Sequence, residues 1–221
     1  MNSKYNQFNP TPYEAHMVVY EKIKEGSKVL DVGCATGYFA QKLKEKDCKV
    51  WGIEMDKKAA ILAKPYCEEV IVEDIEKIEK LPKPRNFYDY ILFLDVLEHL
   101  KYPDKIIQLL KPYLKKDGKI IISVPNIAHI SIRLRLFLGS FDYERVGIMD
   151  ETHLRFFTKK TLQEFIKQAG LKLVELEYSS DFGQLPFVGR IAKKMPKIMQ
   201  YKLTKSFPGL LAVQLIAVCS L

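Results

Sequence analysis

Short, densely apolar runs recur along the first half of the chain, and each ends at a glycine or an acidic residue. The runs fall at residues 28–32, 49–53, 69–72 and 88–94. Their β-branched and aromatic content, without polar alternation, is typical of strands buried on both faces of a parallel sheet. Segments with helical spacing lie before and between these runs, at 13–24, 37–46, 57–64 and 104–114. This alternation predicts an α/β fold with a doubly wound sheet.

The second half of the chain continues the pattern with longer interruptions. A turn at 115–118 leads into a fifth strand at 119–124, and a helix from Thr158 ends at Gly170. The remaining apolar runs, 171–178 and 209–221, predict a sixth strand and an antiparallel seventh strand beside it. We therefore expect a seven-stranded, mostly parallel sheet. The predicted divisions are an N-terminal cap helix at 1–26, a core at 27–178 and 209–221, a substrate lid at 126–157 within that core, and a basic insertion at 179–208.

The composition is typical of a well-packed protein, and much of the positive charge lies in one segment of the chain. The 221 residues are 48% hydrophobic and 28% charged, with a formal net charge of +8. Between 179 and 208, six Lys and Arg residues stand against Asp181 alone, with apolar residues between them. This pattern favours an amphipathic element resting on an anionic membrane surface, or a solvated helix face packed on the domain. No nucleic-acid-binding module is recognisable, so a nucleic-acid partner is not expected.

The sequence also indicates a cellular location. Its polar start lacks the apolar centre of a signal peptide, and no apolar run approaches the roughly 20 residues of a membrane span. The cysteines Cys34, Cys48, Cys67 and Cys219 form no C-x-x-C pair, which indicates reduced thiols. We expect a cytoplasmic protein, with peripheral contact to the inner membrane face through 179–208.

The segment 28–37 is where we expect a small molecule to bind. Its strand runs into a turn bracketed by Gly33 and Gly37, and a helix follows. Glycine permits a sharp turn and close approach of a ligand, while the helix start presents unpaired N–H groups. These features favour a ligand with an acidic group.

Acidic residues follow the next three strands, at Glu54, at Glu73-Asp74 and at Asp95. The carboxyl ends of parallel strands share one edge of the sheet, which is where open α/β sheets bind ligands. Glu54 is suited to the hydroxyls of a ribose. Asp74 is suited to an exocyclic amine, with Ile75 covering a ring. A nicotinamide dinucleotide is a weaker alternative, because its G-x-G-x-x-G fingerprint is broken by Ala35.

From Val29 to Gly37 the chain resembles the first motif of class I S-adenosylmethionine-dependent methyltransferases, and Glu54 and residues 73–75 fall at their ribose and adenine motifs. The resemblance implies a Rossmann-like fold, S-adenosylmethionine as cofactor, and a methionine end framed by Asp31, Gly33 and Gly37. The predicted cofactor site comprises Asp31, Gly33, Cys34, Ala35, Gly37, Glu54, Met55, Asp74, Ile75 and Asp95.

The segment after the fourth strand carries the candidate catalytic residues. If it is helical, Asp95, Glu98 and His99 share one face, and His153 from the lid completes the group. The group resembles that of metal-assisted methyltransferases, which implies Mg²⁺, Mn²⁺ or Fe²⁺ as a ligand. Two metal-free alternatives stay open: His99 or His153 acts as a plain base, or Glu98 and His99 cap the helix while His153 anchors the lid. His129 and His16 are further candidates. In the resembling enzymes the N-terminal helix closes over the cofactor, which makes Tyr13 and His16 candidates for cofactor contact.

The lid suggests the methyl acceptor. It contains Arg133, Arg135, Tyr143, His153 and Arg155, and it resembles the lids of bacterial methyltransferases that act in glycan assembly. That resemblance implies O-methylation of a sugar or glycan hydroxyl, with the arginines as clamps for phosphate or carboxylate; the same arginines are equally suited to packing at the lid's edge. Alternative acceptors are a quinone precursor or RNA, and a protein that binds the cofactor without catalysis is a further alternative.

Overall fold

The structure is a computed structural model that describes residues 7–221. The predictions for residues 1–6 lie outside this range. The seven strands are β1 Lys28–Val32, β2 Lys49–Glu54, β3 Glu69–Val72, β4 Tyr88–Leu94, β5 Leu114–Pro125, β6 Lys172–Tyr178 and β7 Gln214–Ser220. The helices are α1 Ala15–Lys22, α2 Tyr38–Leu43, α3 Lys57–Ala63, α4 Pro103–Leu110, α5 Ile130–Phe137, α6 Lys159–Gln168, α7 Gly189–Ala192, α8 Lys197–Ser206 and α9 Pro208–Leu211.

The strands form one sheet in the order β3-β2-β1-β4-β5-β7-β6. Strands β1 to β5 are parallel, and β7 runs antiparallel between β5 and β6. The predicted seven-stranded, mostly parallel fold is therefore confirmed. Since β1 and β4 lie at the centre and the chain order reverses there, the tips of β1, β2 and β4 come together at one edge.

Side chains alternate between the two faces of the sheet and fill two cores. On one face Leu30 and Ile91 pack with residues of α4 and α6. On the other face Val29 and Leu92 pack with residues of α1 and α2, including Phe39. Both faces of the central strands are covered by helices, which explains why these strands are apolar without alternation. This rigid centre holds the strand tips in place.

The starts of two strands, β5 and β7, differ from the sequence predictions by five residues each. The turn expected at 115–118 lies within β5, which begins at Leu114 and pairs there with Tyr88 before the register shifts. The last strand was predicted from residue 209, but 208–211 form a helical turn and β7 begins at Gln214. A proline at the first helical position favours such a turn. The basic segment forms α7 and α8.

No helix within residues 7–221 is long and apolar enough to cross a bilayer.

Candidate active site

Two cavities open at the carboxyl edge of the sheet. The larger, a cleft of about 1220 Å³, lies along the loop after β1 and the tips of β2, β3 and β4. The smaller, of about 230 Å³, lies beside the tip of β4, with residues of α1, the lid and the start of β7 around it. Asp95 lines both cavities. The two spaces therefore meet at the end of β4.

The loop after β1 depends on left-handed backbone conformations. Gly33, Ala35 and Gly37 have φ angles of 72°, 48° and 76°. A Cβ on Gly33 would lie 2.7 Å from Cγ2 of Val96, and a Cβ on Gly37 would lie 2.8 Å from Cα of Ala63 in α3. Gly37 is therefore needed for the close approach of α3, whereas Gly33 lines the cleft itself.

Glu54 at the tip of β2 holds this loop in place. Its Oε2 accepts a hydrogen bond from the Ala35 amide at 2.9 Å, and its Oε1 accepts one from the Asp56 amide at 2.8 Å. A carboxylate has further lone pairs on both oxygens, so it still has acceptor capacity for a ribose. Glu54 thus lines the cleft and also fixes the shape of the loop.

Asp31, in β1, is almost fully buried behind this loop. Burial, followed by the charge of Glu54, raises the pKa of Asp31 from 3.8 to about 7. Asp74 is at the tip of β3, where its Oδ1 accepts a hydrogen bond from the Glu76 amide at 3.0 Å. Of the two, only Asp74 lines the cleft.

The structure brings most of the predicted cofactor residues together. The ones lining the cleft are Gly33, Ala35, Glu54, Met55, Asp74, Ile75 and Asp95. The remaining three, Asp31, Cys34 and Gly37, support the loop from behind and are not among its lining residues. Arg145 and Glu151, from the lid, also line the cleft. They are single charged residues in an irregular segment, so no motif or periodicity singled them out.

Asp95 has a φ of 55° and is held by a residue from β7. Nε2 of Gln214 donates to Oδ1 and Oδ2 of Asp95 at 2.8 and 3.0 Å, and Oε1 of Gln214 accepts from Ser123 at 3.1 Å. Burial raises the pKa of Asp95 to about 6, while the Gln214 bond acts in the opposite direction. Sequence reasoning missed this role of Gln214, although it is a polar residue within an apolar run.

The segment after Asp95 is a single 3-10 turn, Leu97–His99, and not the helix on which the shared-face prediction rested. One turn is enough to bring Glu98 and His99 together with His153, and their ligand atoms all lie within 4.8 Å of one another. Asp95 is outside this set. Glu98 and His153 line the smaller cavity, whereas His99 lines the cleft. The cluster therefore lies between the two cavities.

Hydrogen bonds orient both imidazoles. Nδ1 of His153 lies 3.1 Å from the Ile148 carbonyl, and Nδ1 of His99 lies 3.2 Å from the Thr152 carbonyl. A carbonyl only accepts, so each Nδ1 donates, and the tautomer with its lone pair on Nε2 is the one that fits each ring. Nε2 of His153 lies 4.0 Å from Oε1 of Glu98. This tautomer is the one that metal-ligating or proton-accepting histidines use.

Glu98 is the most unusual group in the site. It is only 1% exposed, and among residues 7–221 neither carboxyl oxygen has a hydrogen-bond partner. Burial, followed by the charges of Asp95 and Asp150, raises its pKa well above 4.5. A buried carboxyl group without partners is costly in free energy, which is typical of a group that acts on a ligand.

The other candidate residues have structural partners. His16 lines the smaller cavity, burial lowers its pKa to about 4, and its Nδ1 accepts from the Asn9 amide at 2.9 Å. His129 caps α5 and lines neither cavity. Tyr13 stacks on Tyr201 with ring centroids 4.4 Å apart.

The lid arginines also bond to the protein itself. Arg133 donates to the carbonyls of Ala128 and Gly209, and Arg155 donates to those of Leu100 and Lys101. Arg135 pairs with Glu144 at 2.5 Å. These contacts favour packing at the lid's edge over the phosphate clamp.

Comparison with known proteins agrees with this geometry. A family profile described as "Methyltransferase domain" matches residues 11–176. A "Ubiquinone biosynthesis O-methyltransferase" of Glaesserella parasuis is 34% identical over 110 residues, which cover 46% of this chain and 46% of the relative. The protein of the same name from Acinetobacter baylyi is 26% identical over 156 residues, 68% of this chain and 66% of the relative. The matches thus span less than two thirds of these relatives' length.

Among solved structures, a "SAM dependent methyltransferase" from Archaeoglobus fulgidus superimposes with a TM-score of 0.63 at 17% identity, covering 93% of this chain and 94% of the other. At this identity the match shows the fold alone. The family match covers most of the chain, and the predicted class I architecture is present. The chain therefore belongs to the methyltransferase domain family, and its fold is that of the class I S-adenosylmethionine-dependent methyltransferases.

Proposed function

We propose that this protein transfers a methyl group from S-adenosylmethionine to a hydroxyl group of a small ring compound. The observation that carries the proposal is the position of Glu98, His99 and His153 between the two cavities. A cofactor in the larger cleft and an acceptor in the smaller cavity would meet at this cluster. Holding two reactants in line is the main contribution a protein makes to such a displacement.

The chemistry of the cluster favours oxygen as the accepting atom. In the transfer, the acceptor oxygen attacks the methyl carbon, the carbon–sulfur bond breaks, S-adenosylhomocysteine leaves, and the hydroxyl proton passes to a base. His153, with its lone pair on Nε2, is suited to accept that proton. Oε1 of Glu98 lies 4.0 Å from this nitrogen, and in its ionised form Glu98 stabilises the imidazolium that results.

The residues of the cluster also fit a divalent cation. Glu98 has two buried carboxyl oxygens without hydrogen-bond partners among the described residues, and both histidines carry the Nε2 lone pair. Glu98, His99 and His153 would hold the ion, with Thr152 and Ile148 orienting the rings. Nε2 of His153 would then be a metal ligand, so this route is an alternative to the one in which His153 acts as the base. A bound Mg²⁺, Mn²⁺ or Fe²⁺ would lower the pKa of the acceptor hydroxyl.

For the acceptor we favour a hydroxylated aromatic ring of the quinone-precursor type. The smaller cavity, of about 230 Å³, is suited to one ring, and Glu14, Ser179 and Gln184 are among its polar lining residues. A sugar ring has a similar size, but the relatives reported above are named for ubiquinone biosynthesis. The arginines on which the glycan prediction rested bond to the protein itself. A cytoplasmic location completes the proposal, supported by four free cysteines among residues 7–221.

The test begins with calorimetric titration of S-adenosylhomocysteine, with EDTA or with added Mg²⁺ or Mn²⁺. We expect micromolar binding. Methyl transfer is then measured with catechol and with glucose as probe acceptors, and we expect turnover with catechol. Binding without turnover on either probe or on other hydroxylated rings would favour the non-catalytic alternative. No binding would overturn the proposal.

Two variants test the cluster itself. Glu98→Gln should keep S-adenosylhomocysteine affinity within about threefold and lower turnover at least about 100-fold, because it removes the carboxylate that supports His153 as the base, and general base catalysis contributes about 10² to 10⁴. His129→Gln, outside both cavities, is the matched control and should retain turnover. If Glu98→Gln turns over normally, the cluster is not the catalytic centre. Isothermal titration of Mn²⁺ into both variants tests directly whether the cluster binds the ion.

A further inference from the structure

Helix α8 has an inverted distribution of polar and apolar residues. Gln200 and Thr204, one turn apart, are fully buried. Ile198, Met199 and Leu203 are exposed to solvent, at 45%, 49% and 39% of their area. A helix on a water-facing surface normally has the opposite arrangement. The outer face of α8 therefore has an unusual apolar character for a surface in water.

The buried polar residues explain how this orientation is held. Gln200 accepts a hydrogen bond from the Phe182 amide at 3.2 Å and donates to the carbonyls of Lys193 and Met195 at 3.3 and 2.7 Å. Thr204 donates to the Ser180 hydroxyl at 3.1 Å. These bonds fix the polar side of α8 against 180–195. The apolar side must face outward as a consequence.

Exposed apolar side chains also lie just before and within α7. Phe187 and Ile191 are 92% and 75% exposed, and Val188 between them is more than half exposed. Phe187 also has a φ of 61°, which is uncommon for a bulky residue. Phe207, directly after α8, is exposed as well. We call residues 186–207 the basic apolar segment.

Positive charges lie among these apolar side chains. Among residues 7–221, Arg190, Lys193, Lys194 and Lys202 make no ion pair, and all four are exposed. The two other cations of the segment are paired, Lys197 with Glu14 and Lys205 with Glu177, each at 3.4 Å. The segment contains no acidic residue. Its outer face combines exposed aromatic and aliphatic groups with uncompensated cations.

We propose that the basic apolar segment docks on the surface of a bilayer that contains anionic phospholipids. Apolar side chains would enter the boundary between headgroups and acyl chains, while the cations contact lipid phosphates. A second copy of this chain is a poorer occupant, because a contact between two copies would bring their unpaired cations together. Gln184, just before the segment, lines the smaller cavity. Docking would therefore hold that cavity close to the bilayer.

The test is co-sedimentation of the full chain with sucrose-loaded vesicles. Vesicles of phosphatidylcholine with 30% phosphatidylglycerol are compared with vesicles of phosphatidylcholine alone. We expect binding to the anionic vesicles that falls as salt is raised, and little binding to the neutral ones. Equal binding to both, or binding to neither, would overturn the proposal.

Paired variants localise the contact. Lys193→Gln with Lys194→Gln should weaken partition about 25-fold, since each cation near an anionic surface contributes about a factor of five. The control, Lys116→Gln with Lys167→Gln, removes the same charge from exposed positions elsewhere and should change partition less than threefold. If the two pairs have equal effects, the attraction arises from net charge and the docking site is refuted.

The apolar contribution is tested in the same way. Ile191→Asp should reduce partition at least about tenfold, because it places a charge on apolar area that would enter the bilayer on docking. Ile61→Asp, at an exposed isoleucine of α3, is the matched control and should retain binding. Sedimentation velocity without lipid tests the other occupant. A dimer that Ile191→Asp dissociates, together with no vesicle binding, would assign the segment to a second copy and overturn the proposal.

Discussion

At the scale of single residues, the site contains carboxyl groups whose buried surroundings disfavour the ionised form. Asp31 and Glu98 are both buried carboxyl groups, and burial raises the pKa of each. They differ in position, since Asp31 lies behind the larger cleft and Glu98 lines the smaller cavity. Neither the burial of these two residues nor the lack of hydrogen-bond partners at Glu98 follows from residue type, so the sequence could nominate them without assigning their environment.

Asp31 should make the ligand-free protein less stable as pH rises. Its pKa is about 7 in the folded chain against 3.8 for an exposed group, so the folded state binds the proton more tightly. The free energy of unfolding is therefore highest below pH 4 and falls as pH rises towards 7, by up to about 4 kcal/mol from this group. Asp31→Asn should reduce this slope.

Urea unfolding at pH 4 to 8 measures the effect. At pH 8 the Asp31→Asn protein should be the more stable of the two, and the difference should shrink towards pH 4. Asp117→Asn, at an exposed position, is the control. An unchanged slope in Asp31→Asn would show that Asp31 is solvated in the folded protein.

Two glycines allow backbone strain to be separated from close packing. Gly26 and Gly37 have φ angles of 69° and 76°, but only a Cβ on Gly37 would clash, at 2.8 Å from Cα of Ala63. Gly26→Ala should cost about 1 to 2 kcal/mol of unfolding free energy from the left-handed conformation alone. Gly37→Ala should cost at least about 1 kcal/mol more. Equal midpoints in urea would contradict the close approach of α3.

At the scale of elements, short turns determine what the site contains. The residues after β4 form one 3-10 turn, which directs Glu98 into one cavity and His99 into the other. A longer helix would place Glu98 and His99 on the face of Asp95, as their i+3 and i+4 spacing from it suggested. The lid is joined to this turn because the Glu98 carbonyl accepts from the amides of Leu154 and Arg155 at 2.8 and 3.1 Å.

The attachment of α8 depends on one amide side chain. Gln200 satisfies three backbone groups between Phe182 and Met195. Gln200→Leu leaves those groups unpaired, at a cost of about 1 to 3 kcal/mol for each buried group. We expect faster hydrogen exchange across 182–206 and unchanged exchange in β1 and β4. Met199→Leu, at an exposed position next to it, should leave both regions as they are. Uniform exchange changes throughout the chain would refute a local role.

At the scale of the whole molecule, the sheet order places the two cavities on either side of the tip of β4. Strands β1 and β4 are neighbours although two other strands separate them in sequence, and β7 inserts Gln214 beside Asp95 from the far end of the chain. The larger cleft is therefore formed mainly by residues of the first half, with Arg145 and Glu151 added from the lid, and the smaller cavity is formed by residues of α1, the tip of β4, the lid and β7.

Ligand binding should stabilise this arrangement as a unit. S-adenosylhomocysteine at about 100 times its dissociation constant should add about 2.7 kcal/mol to the unfolding free energy. For a chain of this size that is a rise of about 5 to 10 °C in Tm. Gly33→Ala, which places a Cβ 2.7 Å from Val96, should reduce the shift, whereas Gly209→Ala, where a Cβ meets nothing within 4 Å, should retain it. An identical shift in both variants would show that the cofactor binds elsewhere.

The sequence by itself determined the class of fold, the loop after β1 and the acidic residues at the strand tips, because apolar periodicity, glycine and strand ends are local features. It also nominated Glu98, His99 and His153. Only the tertiary structure decided that Gly37 serves packing, that the lid arginines are engaged, and that Gln214 holds Asp95. Those outcomes depend on contacts between segments far apart in sequence. The inverted face of α8 belongs to the same class, because the side of a helix that is buried is set by what packs against it.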